Sequence, residues 1–162
     1  MISIKKFRQS DIDKEYLSWL NNKKLMKFSR HSKEIFDKTK AINFYQEMKK
    51  QNNFFFLILL KKQSEKKIGT LIGYTTKKNK SCNLGILVGR QGKGYGKKAY
   101  RIAIDYIFKY GYKSIIGGSL ATNLAMIKIF KNVGMKFLKN KNIFYKNYKK
   151  KRKVVYYKIS KN

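Results

Sequence analysis

The chain of 162 residues contains no proline, one cysteine, one histidine, one tryptophan, and only 8 Asp and Glu against 40 Lys and Arg. Each shortage excludes something. A lone Cys82 rules out a disulfide within the chain and any Cys-based structural zinc site, so the expectations are a reducing compartment and no metal. Apolar runs are short: the longest, Phe54 to Leu60, is too brief to cross a bilayer, and the start Met1-Ile2-Ser3-Ile4-Lys5-Lys6 lacks the apolar stretch of a signal peptide. A soluble, cytoplasmic protein is expected. There is no internal repeat and no linker, so residues 1–162 read as one domain.

What is present argues for a folded basic protein. Hydrophobic residues make up 43% and aromatics 15%, which a disordered polycation would lack. A net charge of +32 points first to a polyanionic partner such as nucleic acid. Yet the only arginines are Arg8, Arg30, Arg90, Arg101 and Arg152, and arginine is the better reader of phosphate forks and guanine edges. The crowding of Lys, Asn, Ile, Phe and Tyr matches codons rich in A and T. That accounts for the lysines but not for the shortage of carboxylates, so a preference for anionic ligands stands.

Periodicity predicts the elements. Ile2 and Ile4 open a short strand, and Ser10 with Asp13 is a capping-box-like start for a helix carrying Tyr16, Leu17 and Leu20. After Asn21 and Asn22, a loop from Lys23 to Phe36 holds His31. A second helix follows from Asp37 or Thr39 to about Lys50. Three extended runs, Phe54 to Lys61, Lys67 to Thr76 and Ser81 to Val88, are joined by the turns Gln63 to Lys66 and Lys77 to Lys80, which implies an antiparallel meander. Ala99, Ile102, Ala103, Tyr106, Ile107 and Tyr110 then keep helical spacing up to Gly111. A strand from Lys113 to about Ser119, a helix capped by Thr122 with Leu124, Ile127 and Phe130 on its apolar side, and a hairpin around Tyr148 to Lys151 complete the chain. The basic run Lys149 to Lys153 reads as a solvated turn.

Chemistry concentrates in Arg90-Gln91-Gly92-Lys93-Gly94-Tyr95-Gly96-Lys97-Lys98, between a predicted strand and the best-defined helix. Glycines allow a sharp turn and close approach to a ligand, and free amides at a helix start favour anions. No Gly-Lys pair is followed by Ser or Thr, which excludes a P-loop. A dinucleotide fingerprint would need glycine where Lys97 stands.

Gln91-Gly92-Lys93-Gly94-Tyr95-Gly96 resembles the Gln/Arg-x-x-Gly-x-Gly/Ala pyrophosphate loop of the GCN5-related N-acetyltransferases, the GNAT superfamily. Asn123 to Met135, with Gly134 at its end, is similar to that family's Asn-led helix ending in Gly-Phe, and the order of elements agrees over nearly the whole chain. The resemblance implies an α/β (α+β) fold: a mixed, mostly antiparallel twisted sheet of about seven strands with about four helices, whose fourth and fifth strands splay apart. It implies acetyl-CoA as co-substrate, its diphosphate on Gln91, Gly92, Lys93, Gly94, Tyr95, Gly96 and Lys97. Its pantetheine arm would pair with main chain from Leu84 to Val88, including Ile86 and Leu87, with Asn123 and Phe130 beside it. The acetyl group passes directly to an amine, which needs an uncharged amine, donors for the oxyanion and a proton for the thiolate.

This sequence departs from the family at those roles. Many relatives carry Tyr at Phe130 as the thiolate's proton donor, and Gly-Phe is Gly134-Met135 here. Ser81-Cys82-Asn83-Leu84-Gly85 supplies no base where relatives often have Glu or His. Cys82 reads as a small buried strand residue. His31 is the candidate catalytic side chain, with a reference pKa near neutrality and a place in the loop where relatives bind the acceptor; an incidental loop histidine is the alternative reading.

Tyr16 to Asn22, Lys27 to Arg30 and Asn83 to Gly89 look like the branch that acetylates amino groups of nucleotide-linked sugars for surface polysaccharides, with Trp19, Arg30 and Asn83 as substrate-binding candidates. The branch acting on N-termini of ribosomal proteins shares much of the pattern. A non-catalytic basic module for RNA or the ribosome is the alternative from another class; otherwise nucleic acid is not an expected partner, and a homodimer is left open.

Overall fold

Phe54 to Leu59 is apolar at every position because its strand is covered on both faces. A computed structural model, which describes residues 1–61, 65–90 and 92–161, places this run in β2 (Phe54–Lys61). Side chains alternate across a strand. Phe54, Phe56 and Ile58 therefore enter one core, while Phe55, Leu57 and Leu59 enter a second core on the opposite face.

The other strands are β1 (Ile2–Lys6), β3 (Glu65–Thr76), β4 (Ser81–Val88), β5 (Ser114–Leu120), β6 (Lys136–Tyr145) and β7 (Lys150–Ser160). They complete a seven-stranded sheet in the order β1-β2-β3-β4-β5-β7-β6. Every neighbouring pair is antiparallel except β4 with β5, which is parallel. This is the mixed sheet that the family resemblance implies. Helices α1 (Lys14–Leu20) and α3 (Lys38–Lys50) cover the second core, and α4 (Tyr95–Lys109) and α5 (Leu124–Asn132) cover the first. Trp19 belongs to the second core.

Several boundaries differ from the sequence reading, each for a local reason. Asp13 rather than Ser10 caps α1, its carboxylate accepting the Tyr16 amide at 3.0 Å, while Ser10 sits in a 3-10 turn. The loop after Asn22 opens with a four-residue helix, α2 (Lys23–Met26), because the Asn22 side chain accepts from the amides of Lys24 and Leu25. Asn123 rather than Thr122 caps α5, accepting the Met126 amide at 3.2 Å, and Leu124 points to solvent from the first helical position. The last hairpin turns at Lys146–Tyr148, with Lys149 in a left-handed conformation, so Lys150 and Lys151 already belong to β7. β3 begins at Glu65, earlier than expected. Residues 62–64, which hold part of the expected Gln63 to Lys66 turn, lie outside the described residues.

One glycine sets the packing where β5 meets α4 and α5. A Cβ on Gly117 would lie 2.3 and 2.7 Å from ring carbons of Phe130 and 2.9 Å from the Tyr100 hydroxyl, both fully buried side chains. Neither ring can retreat without opening the core. Gly117→Ala is therefore expected to cost about 1–3 kcal/mol, the range for overpacking a filled core. Urea unfolding measures this as a lowered midpoint with an unchanged m-value.

Candidate active site

The parallel pairing of β4 with β5 is only three residues long: Ser81 with Ser114, Cys82 with Ile115, Asn83 with Ile116. Beyond that point β4 pairs with β3 alone and β5 with β7 alone. Had the ladder continued, Leu84 would face Gly117. Instead the Tyr100 hydroxyl fills the wedge and donates to the Leu84 carbonyl at 2.8 Å. Burial raises the Tyr100 pKa well above the ordinary phenol value, so the group stays a donor. Leu84 thus turns its backbone away from β3, whereas the Gly89 amide bonds Ile68 of β3. By the alternation of an antiparallel ladder, the amide and carbonyl of Ile86 and Val88 face the gap too. An extended amide-bearing ligand would find partners there.

At the far end of β4 the chain enters the glycine loop. Gly92, Lys93 and Gly94 are consecutive left-handed residues with φ of 108°, 54° and 69°. Gly92 and Gly94 have open space around them, so it is the backbone angle that requires glycine. Gly96 is different: a Cβ there would come within 3.1 Å of Ile129 and 3.5 Å of Val88, so glycine allows α4 to approach β4 and α5 closely. The start of α4 has no side-chain cap and no acidic residue in its first turn, which holds Lys97 and Lys98. Lysines at a helix start oppose the dipole. An anion seated on these amides would reverse that penalty, with Lys93, Lys97 and Lys98 beside it. Gln91, the first residue of the motif, lies outside the described residues.

On the α1–α3 face a cleft of about 710 Å³ runs into the gap. Of the residues singled out in the sequence, Arg30, His31, Asn83, Ile86, Leu87 and Asn123 line it. Two others do not. Trp19, expected to bind substrate, is buried under Gly89, where a Cβ would lie 2.3 Å from the indole. Phe130, expected beside the cofactor, is buried behind Gly117.

The loop residues of the cleft are tied together. His31 Nδ1 pairs with Glu34, which also accepts from Lys40, and these two contacts, Lys40 first, hold the Glu34 carboxyl below its usual pKa. Among the described residues Glu34 is the only carboxylate lining the cleft, and its charge is already answered by His31 and Lys40. The Arg30 guanidinium stacks over Tyr145 at 5.4 Å and has no carboxylate partner among the described residues. The loop is pinned to the last hairpin, where Tyr148 donates to the Lys27 carbonyl at 3.0 Å and Asn147 to Ser32 at 2.9 Å.

Sequence reasoning did not single out Tyr16, Tyr74 and Glu34 in the cleft, or Tyr100 in the wedge. Helical spacing marked Tyr16 as core, which it is, yet it also borders the cleft. For Glu34 the i,i+3 spacing from His31 was the available signal. Cys82 is buried, and burial pushes its thiol up to about 12, which leaves it inert as a nucleophile. Among the described residues no His, Cys, Asp and Glu side chains group as a metal site requires, and no helix is long and apolar enough to cross a membrane.

Removing the wedge hydroxyl tests its part in this geometry. Tyr100→Phe leaves the Leu84 carbonyl buried without a donor, an expected loss of about 1–3 kcal/mol. A chemical denaturation curve coincident with that of the unaltered protein would dismiss the interaction.

Residues 2–136 match the family model described as an acetyltransferase (GNAT) domain. No curated protein sequence matches the chain significantly. Solved structures agree in fold. Spermidine N-acetyltransferase from Vibrio cholerae, solved with CoA and spermine, superposes with a TM-score of 0.84 at 16% identity, covering 98% of this chain and 95% of that one. A ribosomal-protein α-N-acetyltransferase in complex with coenzyme A gives 0.85 at 12% identity, covering 98% and 93%. A microcin self-immunity acetyltransferase in complex with acetyl-CoA and AMP gives 0.83 at 16%, covering 99% and 92%. With its parted β4 and β5, its glycine loop and this family match, the chain belongs to the GNAT acetyltransferases and is an acetyl-CoA-dependent N-acetyltransferase.

Proposed function

We propose that the acceptor is the amino group of a nucleotide-linked amino sugar. The observation that carries this is the charge of the cleft: among the described residues its single carboxylate, Glu34, is already paired with Lys40 and His31, while Arg30 is free of a carboxylate. A polyamine would need several carboxylates to hold its ammonium groups. A sugar attached to a nucleoside diphosphate brings anionic charge instead, which suits Arg30.

Acetyl-CoA supplies the acetyl group as a thioester. The basic residues Lys93, Lys97 and Lys98 and the open amides of the glycine loop fit its diphosphate. The unpaired backbone of Ile86 and Val88 fits the amides of its arm, with Asn123 at the mouth of the gap. His31 takes the proton of the attacking amine. Glu34 bonds its Nδ1 and leaves Nε2 to act as the base. Phe130 has no proton to give to the departing thiolate.

Calorimetric titration tests the cofactor site: acetyl-CoA binds the unaltered protein, and Gly94→Glu, which puts a carboxylate and a Cβ at a left-handed position, abolishes binding. Release of free CoA is then followed with UDP- and dTDP-linked amino sugars, ribosomal N-terminal peptides and spermidine. Turnover only with the peptides or spermidine would sink the sugar assignment. No binding of acetyl-CoA together with salt-dependent binding of RNA would favour a non-catalytic basic module. His31→Ala is expected to lower kcat about a hundredfold, the usual scale of a general base; undiminished turnover across the neutral range removes it from the mechanism.

A further inference from the structure

The floor of the cleft carries polar groups that the mechanism above does not use. Tyr16 is 2% exposed, and its ring is fixed by Phe7 at 5.0 Å and Trp19 at 6.4 Å. It nevertheless lines the cleft. Tyr74, also in the lining, lies close enough that its charge adds to burial in raising the Tyr16 pKa. Tyr74 sits directly across the ladder from Asn83, the last residue of β4 paired to β5 before the strands part. Two phenols and an amide thus line the cleft that runs into the gap. Leu20, Phe36, Phe44 and Ile72 add apolar surface to the same cleft. The Tyr16 hydroxyl opens on the cleft and is free to bond a ligand there.

We propose that Tyr16 and Tyr74 form the acceptor-recognition pair, their phenols holding a hydroxyl of the acceptor on the carbon next to its reacting amine. The pair rests on the acetyltransferase reading of the cleft and deepens it: the acceptor is a polyhydroxylated amine with one C–H face against the apolar wall. Both phenols have raised pKa values, Tyr74 through burial, so both remain donors through the neutral range. A site built around a substrate hydroxyl rejects an analogue lacking it far more strongly than an apolar pocket rejects a missing methylene.

The experiment compares a UDP-linked amino sugar with its analogue lacking the hydroxyl beside the amine, using the unaltered protein, Tyr16→Phe and Tyr74→Phe. Both variants keep the aromatic ring, and half-exposed Tyr74 serves as the second variant should Tyr16→Phe fold poorly. The unaltered protein is expected to favour the hydroxylated sugar by about a hundredfold or more in kcat/KM. Either variant should bring that preference to within a few-fold through a higher acceptor KM, with the acetyl-CoA Kd unchanged. An unchanged preference in both variants, or no preference in the unaltered protein, overturns the pair. Where peptides replace sugars as acceptors, the sugar assignment fails separately, and an unchanged peptide KM in both variants overturns the pair as well. No turnover of any acceptor by protein that binds acetyl-CoA sinks both.

Discussion

Everything at the centre of this protein depends on how two parallel strands stop pairing. β4 and β5 share three residue pairs and then part, and the first carbonyl left over, on Leu84, is taken by the Tyr100 hydroxyl. That bond satisfies a buried acceptor without a ladder partner, so the strands can separate without the usual penalty for an orphaned backbone group. Gly117 makes room for the hydroxyl and for Phe130. The gap then leaves the backbone of Ile86 and Val88 free for a ligand, and the cleft on the α1–α3 face opens into it.

The wedge also bears on the departure at Phe130. Its ring and the Tyr100 hydroxyl approach the same point beside Gly117, so the space is filled by one phenyl and one phenol drawn from different helices. A hydroxyl is retained at the parting of the strands, but it arrives from α4 and is committed to backbone. The acidic residues show a similar economy. Asp11, Asp13, Glu15, Glu34 and Glu65 sit in ion pairs and Asp37 caps α3, which leaves little negative charge to compete for an anionic ligand.

How much of this was legible in the sequence depended on whether the signal was local. The period of Ala99, Ala103 and Ile107 and the glycines ahead of it located α4 and its loop, since both are written in consecutive residues. The short polar turns announced the meander. Caps were misplaced by one to three residues, because Ser10, Asp13, Thr122 and Asn123 are all competent cap residues and only the backbone angles choose among them. Trp19 was misjudged because an aromatic on an amphipathic helix reads alike whether it faces a core or a cleft. The cleft floor was not legible. Tyr16 and Tyr74 come from α1 and β3, far apart in the chain, and meet only in the lining of the cleft.

The two edges of the sheet give the lysine excess a use apart from any ligand. β1 and β6 each present an open row of backbone donors and acceptors, and β6 does so over ten residues with Phe137 and Phe144 exposed. Such an edge invites a second copy to add its own strand. Lys5 and Lys6 on one edge, Lys136, Lys139 and Lys141 on the other, and the register shift between Phe137 and Lys139 all work against that pairing. The lysine excess thereby doubles as protection against aggregation, and a version of the protein with ordinary composition would have to guard β6 by other means.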